Sequence, residues 1–155
     1  MKKTLTLFGL LFVCLLTFAQ NPCPQVIPAL QQWKGAKGTL ALPAQGSIVI
    51  NPQDEATLGQ TASILAEDLK ELMGWEYSIT TGKAKKNDIY LSLSQADEQL
   101  GKEGYVLAIN NKVSIEAPTT QGVFWGTRTL LQMLYRQKAT LAKGTTRDWP
   151  EFPSR

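Results

Sequence analysis

The stretch over residues 104–134, GYVLAINNKVSIEAPTTQGVFWGTRTLLQML, decides the fold. In its first half Tyr105, Leu107 and Ile109 alternate with other residues, and Val113, Ile115 and Ala117 resume the alternation after Asn110 and Asn111. A period of two is the spacing of a strand that buries one face, and the Asn pair supplies turn chemistry, so the reading is a β-hairpin. Pro118 and Thr119 stop the second strand. From about residue 121 to 136 the period lengthens, and Val123, Thr127, Leu130, Leu131 and Leu134 fall on one side of a helix. Gly122 and Gly126 lie four apart, so one narrow side of that helix can approach a neighbour with no side chain between. Membrane helix pairing would need a continuous apolar span around such a pair, so this one implies packing in a globular core.

Upstream, residues 39–42 and 47–50 read as two short strands joined by a turn at 43–46. Residues 56–73 repeat apolar positions at Leu58, Ala62, Leu65, Ala66, Leu69, Leu72 and Met73, with Glu67, Asp68, Lys70 and Glu71 on the wet side. Gly74 follows at once and suits a left-handed helix cap. Residues 75–80 and 89–94 alternate as half-buried strands. The expected architecture is α+β: a mixed or antiparallel sheet with two amphipathic helices packed on one face. The tail, residues 138–155, loses periodicity and ends in Asp148, Trp149, Pro150 and Pro153. It reads as a connector, so the predicted boundaries are a domain over 20–143 and a connector over 144–155.

The chain opens with Met1, Lys2 and Lys3, then an apolar run from Leu5 to Phe18, the pattern of a secretory signal peptide. The run is too short for a comfortable membrane span, and small residues at Thr17 and Ala19 predict cleavage after residue 19 and a mature start at Gln20. A lipid anchor would need a small residue before its cysteine, whereas Cys14 follows Val13 and Cys23 follows Pro22. Soluble export, to periplasm or beyond, is the expectation. Of 155 residues about 136 remain, one ordinary domain. Removing Lys2 and Lys3 from the 16 basic residues leaves 14 against 13 acidic ones. That balance excludes the concentrated positive field of a nucleic-acid binder, and Lys83, Lys85 and Lys86 read as a solvated turn between strands. Cys23 is the single thiol left after cleavage, so no internal disulfide forms.

Histidine is absent from the whole chain, which removes the commonest general base, the Ser-His-Asp and Cys-His arrangements, and the usual zinc sites. Gly35, Gly38 and Gly46 lack the spacing of a phosphate-cradling loop. Two acidic pairs remain for glycosidase-type chemistry. Asp54 and Glu55 precede the first helix and read as its N-terminal cap. Asp97 and Glu98 follow a strand end, where a barrel hydrolase would place its acids, but the chain is too short for a (β/α)8 barrel, and a solvated loop is expected. Trp33, Trp75, Trp125 and Trp149 could stack on sugar rings, although core and interface packing is the commoner use. No catalytic, cofactor-binding or metal-binding residue is assigned.

The segments GYVLAI at 104–109, VSIEA at 113–117 and GVFWGTRTLLQML at 122–134 together resemble the N-terminal domain of glycoside hydrolase family 20, the β-N-acetylhexosaminidases. VIP at 26–28 and DWPEFPSR at 148–155 are similar to the family's opening strand and its lead into the catalytic barrel. The resemblance spans nearly all of the mature chain, and the same domain also precedes other barrels, including those of family 84. It implies an α+β accessory domain, and the residues of the motif by themselves read as a helix that lays Phe124, Leu130 and Leu134 onto the sheet. It also implies that chemistry on amino-sugar glycans belongs to a following barrel, the expected partner, with Arg155 at the opening of its first strand. The chain is thus expected to be inert alone, a truncated piece of a hexosaminidase. The rival expectations are a free-standing carbohydrate-binding module and the equivalent domain of a family 84 enzyme.

Overall fold

The computed structural model describes residues 19–150. The expected signal, apart from Ala19, and residues 151–155 of the expected connector lie outside the described residues. Seven strands form one mixed sheet, and two helices cover one of its faces. The strands are β1 (Gln32–Ala41), β2 (Gln45–Ile50), β3 (Glu76–Thr81), β4 (Ile89–Leu93), β5 (Tyr105–Ile109), β6 (Val113–Ala117) and β7 (Thr140–Asp148). Their spatial order is β1-β7-β5-β6-β4-β2-β3. Helix α1 (Glu55–Met73) packs on β2, β3 and β4, helix α2 (Thr120–Gln137) on β4 to β7, and the helices touch each other.

The hairpin forms as its alternation dictates: β5 and β6 are antiparallel with Leu107 opposite Ile115 and Ile109 opposite Val113, all fully buried under α2. Thr119 caps α2, its Oγ1 accepting from the Gly122 N–H at 3.1 Å. Gly122 and Gly126 then let the helix backbone rest on the hairpin. A Cβ at Gly126 would lie 2.5 Å from Ile115 Cγ2, and one at Gly122 would meet the Gly104 carbonyl and lie 2.7 Å from Ala117 Cβ. The expected stripe of Val123, Thr127, Leu130, Leu131 and Leu134 is buried. Phe124 is the exception to the expected set: it is half-buried beside the helix pair and its ring carries Arg128 at 4.7 Å. In α1, Leu58, Ala62, Leu65 and Leu69 are buried, whereas Leu72 is 53% exposed. Gly74 closes α1 in the left-handed region at φ 69°, its N–H donating to Lys70 O at 3.0 Å.

Four further sequence expectations are corrected. Residues 39–42 and 47–50 do not pair with each other. Residues 39–41 belong to ten-residue β1, antiparallel to β7; residues 47–50 belong to β2, parallel to β3 and β4 on the far side of the sheet. The reason is α1, which carries the chain over the sheet from β2 to β3, the crossover that parallel neighbours require. Second, residues 144–148 of the expected connector belong to β7 (Thr140–Asp148), paired on both sides, with β1 and β5. Third, Val26 to Pro28 is no strand: Val26 is buried, Ile27 is 73% exposed, and the first strand starts at Gln32. Fourth, Asp54 makes no side-chain cap on α1. Its Oδ2 accepts instead from the Leu93 N–H at 2.8 Å and from Asn51 Nδ2 at 2.9 Å, pinning the helix start to the end of β4.

Candidate functional site

A groove of about 450 Å³ opens where the segment before β1, the outer side of α2 and the end of β7 meet. Ile27, Pro28, Trp125, Trp149 and Pro150 give it apolar walls, and Arg128 and Gln132 stand among them. Helical spacing puts Trp125, Arg128, Gln132 and Tyr135 on one outward stripe of α2. Trp125 is 44% and Tyr135 72% exposed. Gln132 fastens the preceding segment to the helix: the Ile27 N–H donates to its Oε1 and its Nε2 donates to the Ile27 carbonyl, both at 2.9 Å. Arg128 is tied from the other side, with Nη1 2.6 Å from Asp68 Oδ2 of α1.

The groove's polar floor is fully engaged. The Tyr105 hydroxyl donates to Asp148 Oδ2 at 2.9 Å and lies 2.6 Å from Thr129 Oγ1. Asp148 Oδ1 accepts from the Gln31 N–H at 2.9 Å, so this carboxylate joins the end of β7 to the lead into β1. Burial pushes the Tyr105 phenol far above its ordinary range; the nearby Asp148 charge adds to this and the Thr129 hydrogen bond opposes it. The phenol is thus held neutral, and the carboxylate is shared between the Tyr105 hydroxyl and the Gln31 N–H. The arrangement can cover or hold an apolar or aromatic-stacking surface.

The residues weighed in the sequence do not gather at this groove, save two. Asp97 and Glu98 lie in the loop after β4. Asp97 is 2.5 Å from Arg147 Nη2 and accepts the Gln99 and Leu100 N–H groups, and the Arg147 bond chiefly holds its carboxyl below the usual range. Asp97 thus braces its own loop against β7, and Glu98 is exposed. Lys83, Lys85 and Lys86 sit in the loop between β3 and β4. Trp33 is half-buried with its Nε1–H on the Asn21 carbonyl, and Trp75 is buried and stacked on Tyr77, ring centroids 5.9 Å apart. Trp125 and Trp149 are the two that meet in the groove. Cys23 is exposed and free. Among the described residues no cluster of His, Cys, Asp and Glu could hold a metal, and no helix is long and apolar enough to cross a membrane. No reading of the sequence placed Ile27, Arg128, Gln132 or Tyr135 at a site, although the outward stripe of α2 was readable from the same helical period that gave its buried one.

Residues 23–149 match the family model for glycosyl hydrolase family 20, domain 2. A Lacto-N-biosidase of Bifidobacterium bifidum is 31% identical over 134 residues, covering 85% of this chain and 12% of that protein. Among solved structures, a mutant Streptomyces plicatus β-hexosaminidase in complex with GlcNAc superposes with a TM-score of 0.72 at 25% identity, covering 88% of this chain and 28% of that one. CpGH84D shares the fold alone, at a TM-score of 0.66 and 14% identity over 81% of this chain and 24% of that one. This chain therefore spans well under a third of the proteins it resembles. The mixed seven-stranded sheet, the two helices on one face and the match over residues 23–149 together establish that this chain belongs to glycosyl hydrolase family 20, as its domain 2.

Proposed function

We propose that this domain is the non-catalytic part of an exported β-N-acetylhexosaminidase and serves as a scaffold against which the enzyme's (β/α)8 barrel packs. The observation that carries the reading is the outward stripe of α2. Trp125 and Tyr135 are exposed on it, Ile27 is fastened beside it, and the chain leaves the described residues at Trp149 and Pro150 along the same groove. A surface of this kind is covered in the native assembly of most soluble proteins. A barrel that continues the chain from residue 150 is tethered next to it, at an effective concentration in the millimolar range by order of magnitude. Hydrolysis of terminal N-acetylhexosamine units belongs to that barrel, and no residue described here is assigned a catalytic role. Support for export comes from Lys2, Lys3, the apolar run and the small residues at 17 and 19. The domain extends to the end of β7, so the connector starts at about residue 149.

The test is an assay of this chain alone on a chromogenic N-acetylglucosaminide, where no turnover above buffer is expected; turnover abolished by changing a residue of this chain would sink the reading. A second reading, a carbohydrate-binding module, is favoured by Trp125 and Trp149 lining one groove. Titration with N-acetylglucosamine oligomers separates the two, since a pure scaffold shows no saturable change in tryptophan fluorescence and a binding module does.

A further inference from the structure

The cleavage expected after Ala19 leaves Gln20 as the first residue of the mature chain, and Gln20 is exposed. The residue after it is held through its N–H, its carbonyl and its side-chain amide nitrogen. The Asn21 N–H donates to Ala36 O at 3.0 Å, its carbonyl accepts from Trp33 Nε1 at 3.1 Å, and its Nδ2 donates to Gly38 O at 2.7 Å and to Lys143 O at 2.9 Å. Gly35 makes room for this clasp, because a Cβ there would run into the Asn21 carbonyl. Among the described residues this network thus starts at residue 21, bonded to both β1 and β7, and Gln20 lies one residue before it. Among the described residues no hydrogen bond or ion pair engages the Gln20 side chain.

We propose that Gln20 is a modification site, at which the new N-terminus closes on its own side chain to give a pyroglutamyl residue; this rests on the export reading above. The α-amine nitrogen forms a bond to Cδ of the same residue, the Cδ–Nε2 bond breaks, and Nε2 leaves with the amine's proton as ammonia. No oxidant, reductant or second substrate enters. The ordinary α-amine pKa of roughly 7.7–8.0 leaves an appreciable free-base fraction near neutral pH. Amine and amide in one residue react intramolecularly through a five-membered ring, which gives the step its proximity advantage. The product has no terminal ammonium, so the mature chain loses one positive charge and the group that aminopeptidases recognise. The Asn21 clasp holds the next residue against peeling, and the lactam blocks the one free position before it.

The experiment is to express the full chain with its leader in a secreting host and recover the exported protein. Edman degradation is run on the undigested protein and mass spectrometry on the tryptic peptide 20–34, since Lys34 is the first basic residue after Gln20. A peptide lighter than unmodified 20–34 by one ammonia, about 17 Da, with an N-terminus that Edman chemistry reads only after pyroglutamyl peptidase treatment, is the expected result. A chain that starts at Gln20 and keeps a free amine after prolonged incubation at neutral pH overturns the proposal and leaves export standing. A retained leader, or a start elsewhere, overturns both. The variant Gln20→Ala must open the terminus to Edman chemistry; a blocked end in that variant shows a different modification and overturns the lactam.

Discussion

Glycines at the helix–sheet contact show how one missing methyl sets the depth of a whole element. A Cβ at Gly126 would lie 2.5 Å from Ile115 Cγ2 and 3.2 Å from the Tyr105 ring, so α2 can sit where it does only without it. Gly126→Ala is expected to destabilise the fold by about 1–3 kcal/mol, as overpacking of a filled core does. Gly59 in α1 has nothing within 4 Å of where a Cβ would go, so Gly59→Ala is expected to stabilise by roughly 0.5–1 kcal/mol through helix propensity. Urea midpoints of the two variants should therefore move in opposite directions from the parent, and a shift of both in the same direction would contradict the packing argument. Tyr77 and Tyr105 make a second prediction. Burial raises both phenols, Tyr77 to about 12 with some help from Asp88. With folded values above unfolded ones, their contribution is complete below the ordinary tyrosine pKa of about 10 and is lost as pH rises past it. Denaturant midpoints should fall above about pH 10, and Tyr77→Phe should flatten that fall.

At the scale of elements, β7 joins the edge strand β1 to the rest of the sheet. It pairs with β1 on one side and β5 on the other, and β1 has no other strand partner. A chain ended at residue 143, the boundary expected from periodicity, keeps Thr140 to Lys143 and loses the pairings from Gly144 to Asp148. It is expected to lack cooperative unfolding by circular dichroism, whereas a chain ended at residue 150 keeps it. The helices and the β5–β6 hairpin were legible because each presents a strong local period to one buried surface. β7 was not, because its inward positions are Leu141, Gly144 and Thr146, only one of them a large apolar residue. Gly144 reads as a strand breaker, yet its empty face is filled by the Trp33 ring from β1, a cross-strand contact more than a hundred residues away in sequence. The separation of β1 from β2 was equally hidden, since local pattern specifies a strand and says nothing of its partner. The groove was half legible: Trp125 and Trp149 stood out by type, but Ile27 and Gln132 meet through a pairing that no spacing encodes.

For the molecule as a whole, one face of the helix layer is left with exposed aromatics. The isolated domain is expected to self-associate through α2, and Trp125→Gln with Tyr135→Ser should reduce light scattering at high concentration. Both side chains point outward, so the double variant should keep its stability within about 0.5 kcal/mol per site. Scattering unchanged from the parent would place the adhesive surface elsewhere. The acid side of the stability curve has a separate source. Asp97 is held below its ordinary carboxyl range by Arg147, so that brace is present above about pH 4 and fades as pH falls through the lower folded value.

The β1–β7 pair also determines how the domain bears load. Gln32 at the start of β1 lies opposite Arg147 near the end of β7, and Ala41 lies opposite Thr140. The two points where the chain enters and leaves the sheet are therefore side by side, at one end of an antiparallel ladder. Tension between them is not shared along the ladder but falls on its outermost hydrogen bonds first, then on the next, as in a zipper. If a large neighbour tugs at residue 150, the domain yields from that end, and the Asn21 clasp to Gly38 and Lys143 is a stitch placed across those same two strands.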